Sequence, residues 1–228
     1  MHAQRLLTVV ALSAVIATAP AWGARGAGRW GTPPSDQIVD AGEAATLTFM
    51  REEERLARDL YHQFHEIWES VLFVNISAAE QRHMDAVKNA MDKYALPDPS
   101  NPALVGEYSY PELQQLHNQL LAQGEQSYLE ALWAGGMVEE MDIADLRDAI
   151  VATDNDDLKK LYENLLRGSR NHLRAYAAEI ERMGVIYEAQ YLKQTDVDEI
   201  LNSSMERGSE GQGRGRNGRG GKGQGGKG

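Results

Sequence analysis

Between Glu43 and Met183 the apolar residues recur at intervals of three and four, a spacing that only packed helices can bury on one side. In the first segment Phe49, Met50, Leu56, Ala57, Leu60, Phe64, Ile67 and Trp68 fall on one stripe. In the second, Phe73, Ile76, Ala79, Val87, Ala90, Met91 and Tyr94 do the same. Four long helices are expected, over about 43–69, 71–94, 125–152 and 154–183, the last stopped by Gly184. Three prolines in the run Leu96 to Pro102 end the second helix and open a long connection. That connection should hold a short helix near 111–122, with Pro111 in its first turn, and a turn or two of helix is expected again before Leu201. The expected fold is therefore all-α: a four-helix bundle with a long crossover between the second and third long helices.

The two ends of the chain read differently. Arg5 followed by the apolar run Leu6 to Ala19 has the form of a secretory signal, too short for a comfortable membrane span, with cleavage expected after Ala21 or Gly23. The alternative is an uncut anchor. A signal at 1–23 and a linker at 24–42 would precede the helical domain at 43–201, and the mature protein would be periplasmic or secreted and free of the membrane. Residues 202–228 are Gly-rich, and from Met205 onward six basic residues stand against two glutamates, so this segment is expected to be a solvated, disordered tail. The whole chain carries a net charge of −11, which argues against duplex nucleic acid as a partner; metal ions and a second copy in a homodimer are the partners considered. It has no Cys, which excludes thiolate metal sites, iron–sulfur clusters and thiol catalysis.

Chemistry-bearing residues fall on the apolar stripes. Glu80 and His83, three apart, share the face of Ile76, Ala79 and Val87. A buried carboxylate without a partner is costly, so the two are either hydrogen-bonded to each other or ligands to one cation. Glu80 is also spaced from Ser77 as in a capping box, which would make it a helix cap. In Glu52-Glu53-Glu54, Glu53 points along the middle of the stripe and Glu54 along its flank beside Tyr61, whereas Glu52 is expected in solvent. Glu139 and Glu140 lie on the two flanks of the third long helix, with Asp142 and Asp145 expected outward. The adjacent Gly135 and Gly136 weaken that helix, which is tolerable where something packs closely at that level. His172 shares a face with Leu161, Leu165, Tyr176 and Met183 on the fourth. One inward acid or His on each of four helices points to a shared site, and carboxylate with imidazole suits iron, manganese or zinc. A buried polar network without metal would use the same residues.

These residues resemble a known group. Their order, Glu, then Glu-x-x-His, then Glu, then His, is similar to that of the ferritin-like superfamily, and Glu54 to Tyr61 is similar to the first-helix signature of rubrerythrins. Arg51 to Tyr61, Asn75 to His83, Glu139 to Leu146 and Asn164 to Tyr176 resemble the ferritin-like domain of unknown function 2202. The resemblance implies a ferritin-like bundle with a di-iron centre held by Glu54 or Glu53, Glu80, His83, Glu140 or Glu139, and His172. It implies either oxidation of Fe(II) by oxygen or peroxide, with Tyr61 or Tyr176 near enough to assist, or metal buffering without turnover. The chain departs from the ferritin and rubrerythrin pattern at Ser169, where a carboxylate is expected three residues before the last His. Without Cys it also lacks the rubredoxin-type iron centre of rubrerythrins.

Overall fold

A computed structural model describes residues 38–101 and 104–207, so the signal expected at 1–23 and most of the linker lie outside the described residues. The described residues form six helices and no strand. In chain order they are α1 (Ala41–Trp68), α2 (Val71–Lys93), α3 (Pro111–Gly124), α4 (Tyr128–Ala152), α5 (Asp156–Arg182) and α6 (Gln194–Asn202). None is long and apolar enough to cross a membrane.

Local chemistry sets the boundaries. Asp40 and Glu43 form a capping box that opens α1, and Glu69 closes it in the left-handed conformation. Ser127 caps α4, which is why that helix begins at Tyr128 and not at Glu125. Asn155 accepts from the N–H groups of Asp157 and Leu158 to start α5, and Gly184, at φ 80°, follows its end. α3 runs on to Gly124, where a Cβ would stand 2.2 Å from the Phe64 ring; only glycine lets the helix pass there.

The four long helices close on one another: α1 packs on α2, α4 on α5, α1 on α4, and α2 on α5. The α2–α4 connection crosses over α1, and α3 lies against both α1 and α4. α1 holds this connection with its charged residues. Arg51 pairs with Asp98 at 3.1 Å. Arg55 donates to the carbonyls of Asn101 and Leu104 at 2.8 and 3.0 Å. Glu52, expected in solvent, is fully buried, because it pairs with Arg55 and accepts from the Ser109 N–H at 2.7 Å. The Pro-rich connection covers it, and a covered carboxylate is tolerable only with such partners.

α4 is the central helix. Every residue from Ala131 to Ile143 is buried, so it has no solvent face over that length. This overturns the expectation that Asp142 points outward, and Asp145 too is half covered. The paired glycines of α4 admit two tyrosine rings: a Cβ on Gly135 would meet Tyr176 at 2.6 Å, and one on Gly136 would meet the Tyr187 hydroxyl at 2.4 Å.

The packed region also passes the boundary expected at 201. Glu206 accepts from Arg170 Nε at 2.7 Å and from Arg174 at 2.9 Å, and its N–H donates to Asn171 at 2.9 Å. The segment 203–207 therefore lies along α5 and is not part of a free tail; three paired polar groups on α5 hold it. Residues beyond 207 lie outside the described residues. Truncation after Arg207 is expected to leave the melting temperature unchanged, whereas truncation after Leu201 lowers it by several degrees; thermal unfolding of the two truncated chains checks this.

Candidate metal centre

At mid-height between α1, α2, α4 and α5, five of the seven residues singled out from the sequence converge. Glu54 comes from α1, Glu80 and His83 from α2, Glu139 from α4 and His172 from α5. They form two triads, Glu54–Glu80–His83 and Glu80–Glu139–His172, in each of which the donor atoms lie within 4.8 Å of one another. Glu80 belongs to both, and it sits in the middle of α2, so it is not a cap. Its Oε2 is 2.7 Å from His83 Nδ1 and its Oε1 is 2.7 Å from His172 Nδ1. His83 Nδ1 also stands 3.1 Å from Glu54 Oε2. Glu139 Oε2 lies 3.5 Å from His172 Nδ1, while its Oε1 accepts from the Tyr61 hydroxyl at 2.7 Å.

The directions of these contacts matter more than their lengths. Both oxygens of Glu80, Oε1 of Glu54 and Nδ1 of His172 are buried and make no hydrogen bond, although N and O approach closely. These groups meet as close ion pairs without hydrogen-bond geometry. Buried polar atoms without partners cost several kcal/mol, and a cation among them removes that cost. The donor set, three carboxylates and two imidazoles without sulfur, fits a hard or borderline first-row dication.

Packing places the donors. Gly168 leaves room for His83, since a Cβ there would lie 2.4 Å from its Nε2. The two imidazole rings lie 5.5 Å apart. Tyr61 and Tyr176 lie beside the Glu139 triad with their centroids 5.4 Å apart, and Tyr176 continues into Phe73 and Phe64. This aromatic wall keeps water from that side of the cluster. Burial and the nearby Glu139 charge raise the Tyr61 hydroxyl, so it stays protonated as a donor to that carboxylate.

Two expected ligands lie elsewhere. Glu140 turns away from the cluster and accepts from the Tyr187 hydroxyl at 2.7 Å and from the N–H groups of Gln190, Tyr191 and Leu192 at 2.7 to 3.1 Å. It anchors the segment that follows α5. Adjacent residues on a helix are about 100° apart, so Glu139 and Glu140 cannot both face one point. Glu53 is buried beside Asp145 and Asp142, outside both triads. The sequence reading missed Asp142. It is buried and accepts from the Ser169 hydroxyl at 2.7 Å, the serine three residues before His172, and it lies near Glu54, Glu139 and Glu80 but outside both triads. The signal was its i+3 spacing from Glu139.

Without a cation the cluster balances its charge with protons. Burial opposes the charge on His172, but Glu80 and Glu139 outweigh it and raise its pKa to about 10. His83 is likewise held well above its usual value by Glu54 and Glu80 against burial. Burial pushes Glu54 up to about 7, partly offset by His83. Burial would raise Glu80 as well, yet the two imidazoles hold it well below the usual carboxylate range.

The comparisons with known proteins follow the same helices. Residues 43–204 match the family model described as an uncharacterized protein domain, DUF2202, and the chain belongs to that family. It is similar to the uncharacterized protein MJ0754 of Methanocaldococcus jannaschii, 43% identical over 172 residues that cover 75% of this chain and 93% of the relative. The crystal structure of hypothetical protein MJ0754 from Methanococcus jannaschii superposes with a TM-score of 0.72 at 42% identity, covering 74% of this chain and 96% of that one.

Two outcomes are expected. Folded-state pKa values raised above the unfolded ones make the metal-free protein less stable as pH rises: His172 stabilises fully below about 6.5 and loses that contribution as pH passes about 10, and Glu54 loses its own as pH passes about 7. Denaturant unfolding of metal-free protein at pH 7 and pH 9.5 should show the decline; equal or greater stability at pH 9.5 would contradict it. Second, Glu140→Gln should lose on the order of 2 kcal/mol of stability and keep its metal content, whereas Glu139→Gln should lose metal. Chemical denaturation alongside metal analysis of both variants separates the two roles.

Proposed function

We propose that this chain is a ferritin-like four-helix-bundle protein that binds two divalent first-row cations, iron foremost, one in each triad, with Glu80 between them. The observation that carries the reading is the double triad: five donors from four helices share one carboxylate, and four of their buried atoms have no hydrogen-bond partner. Manganese or zinc meets the same donor chemistry. Glu54 and His83 would hold one cation, Glu139 and His172 the other.

Iron held at this position would supply reversible one-electron chemistry toward oxygen or peroxide. The protein's share is binding, orientation and proton control. Tyr61 keeps its proton directed at Glu139 and so fixes that carboxylate's orientation. The aromatic wall of Tyr61, Tyr176 and Phe73 excludes water from the protein side. His83 and His172 release protons as they become ligands, because imidazole coordinates only when neutral. The buried tyrosines beside one triad favour an oxidative role over passive buffering, since both lie where an electron or proton can be handed to the centre. Export through the N-terminal segment would put this chemistry in the periplasm or outside the cell.

The test is anaerobic loading of metal-free protein with Fe(II). Two equivalents per chain are expected, with a rise in melting temperature that His83→Ala abolishes and the exposed control Glu163→Ala retains. Exposure of the loaded protein to oxygen should then consume it in proportion to iron. Zero bound equivalents would overturn the reading; binding without oxygen consumption would make the protein a metal buffer.

A further inference from the structure

One carboxylate stripe runs along α4 and continues past the double triad. Glu139, Asp142, Asp145 and Asp148 follow at intervals of three, each turned about 60° from the one before, so the row winds from the buried side of the helix round to its exposed side. Their burial falls in order: Glu139 is 1% exposed and Asp142 6%, Asp145 is half covered and Asp148 is exposed. The stripe therefore leads from the cluster to the surface. Glu53 joins it from α1, its buried carboxyl close to Asp145, Asp142 and Glu54.

Glu53 supplies the second observation. Only 5% of it is exposed, and its Oε2 is buried without a hydrogen-bond partner. A buried acid with a free oxygen, between an exposed acid and a ligand cluster, is suited to hold a cation briefly. The basic neighbour on this stretch of α4, Arg147, pairs with Asp196 at 3.3 Å and does not pair with the stripe in that contact. Tyr191 lies near Asp145, Glu53 and Asp148.

We propose that Asp148, Asp145, Glu53 and Asp142 form the route by which a divalent cation passes from solvent to the double triad. This inference rests on the reading of the cluster as a metal centre. A bare dication cannot cross a protein interior without negative charge or ligands at each step, and the stripe supplies a carboxylate at each turn. Asp148 and Asp145 collect the ion at the surface, where their negative charge raises the local cation concentration and the association rate. Glu53 accepts it from Asp145, and Asp142, held by Ser169, passes it on beside Glu54 and Glu139. No covalent bond changes; the ion exchanges one carboxylate oxygen for the next along the route.

The other solvent contact of the cluster is the rim of His83 and His172, whose side chains are 14% and 12% exposed. The experiment decides between the two entrances. Uptake of Zn²⁺ by full-length metal-free protein is followed by stopped flow against a fluorescent zinc chelator, for the natural protein and for the double variant Asp145→Asn/Asp148→Asn, with Glu163→Gln as an exposed control. The double variant is expected to load roughly tenfold more slowly and with a weaker dependence on ionic strength, and to reach the same plateau of bound zinc; the control should load at the natural rate. Loading of the double variant at the natural rate would overturn the route and make the imidazole rim the entrance. A lowered plateau would overturn it as well, since those acids would then be ligands. If the natural protein binds no zinc and no iron, the metal-centre reading itself fails, an outcome distinct from both.

Discussion

Glu80 is the interaction on which the rest depends. It is a charged side chain in the middle of a helix, 1% exposed, with both carboxylate oxygens outside any hydrogen bond. Such a group would destabilise a helical core unless positive charge surrounds it. Two imidazoles stand at 2.7 Å, one from its own helix and one from α5, and they hold it ionised. In the proposed metal-bound form, a pair of cations would replace the protons on those rings. On that reading, protons and cations are alternative ways of satisfying one buried carboxylate, linked by proton release.

The scaffold serves that requirement in several places. α4 is buried on all sides over its central turns, so it can carry Glu139 and Asp142 inward without competing exposure. Gly135 brings the Tyr176 ring against α4, and Gly168 gives His83 its space on α5. The crossover between α2 and α4 is pinned by Arg51, Glu52 and Arg55, so the segment that follows the Pro-rich run closes over α1. Glu140 does the corresponding work at the other end by gathering the N–H groups of residues 190–192. Both sets of polar contacts fix chain segments that have too little apolar surface to fix themselves.

Much of this was legible in the sequence, for physical reasons. Helical periodicity, the prolines after Leu96 and Gly184 after α5 located the long helices, because apolar burial and backbone chemistry act locally. Glu80, His83 and His172 could be singled out because each sits on an apolar stripe where a polar group needs an explanation. The tandem acids were harder. Glu53 or Glu54, and Glu139 or Glu140, differ by about 100° on the helix, and both members of each pair turned out to be buried. Only the tertiary packing separates a residue that faces the cluster from one that caps a loop. Asp142 and Glu52 were read as solvent-facing for the same reason: sequence periodicity assumes one wet face, and α4 and the covered turn of α1 have none.

The central claim is that two metal ions lie on either side of Glu80. Anomalous diffraction from crystals of the full-length protein soaked in Mn²⁺ or Fe²⁺ tests it most directly. The account predicts two anomalous peaks about 3.5–4 Å apart, one beside Glu54 and His83 and the other beside Glu139 and His172, as expected for a site in which one carboxylate serves two ions. No peak between α1, α2, α4 and α5, or peaks only at surface acids, would contradict it.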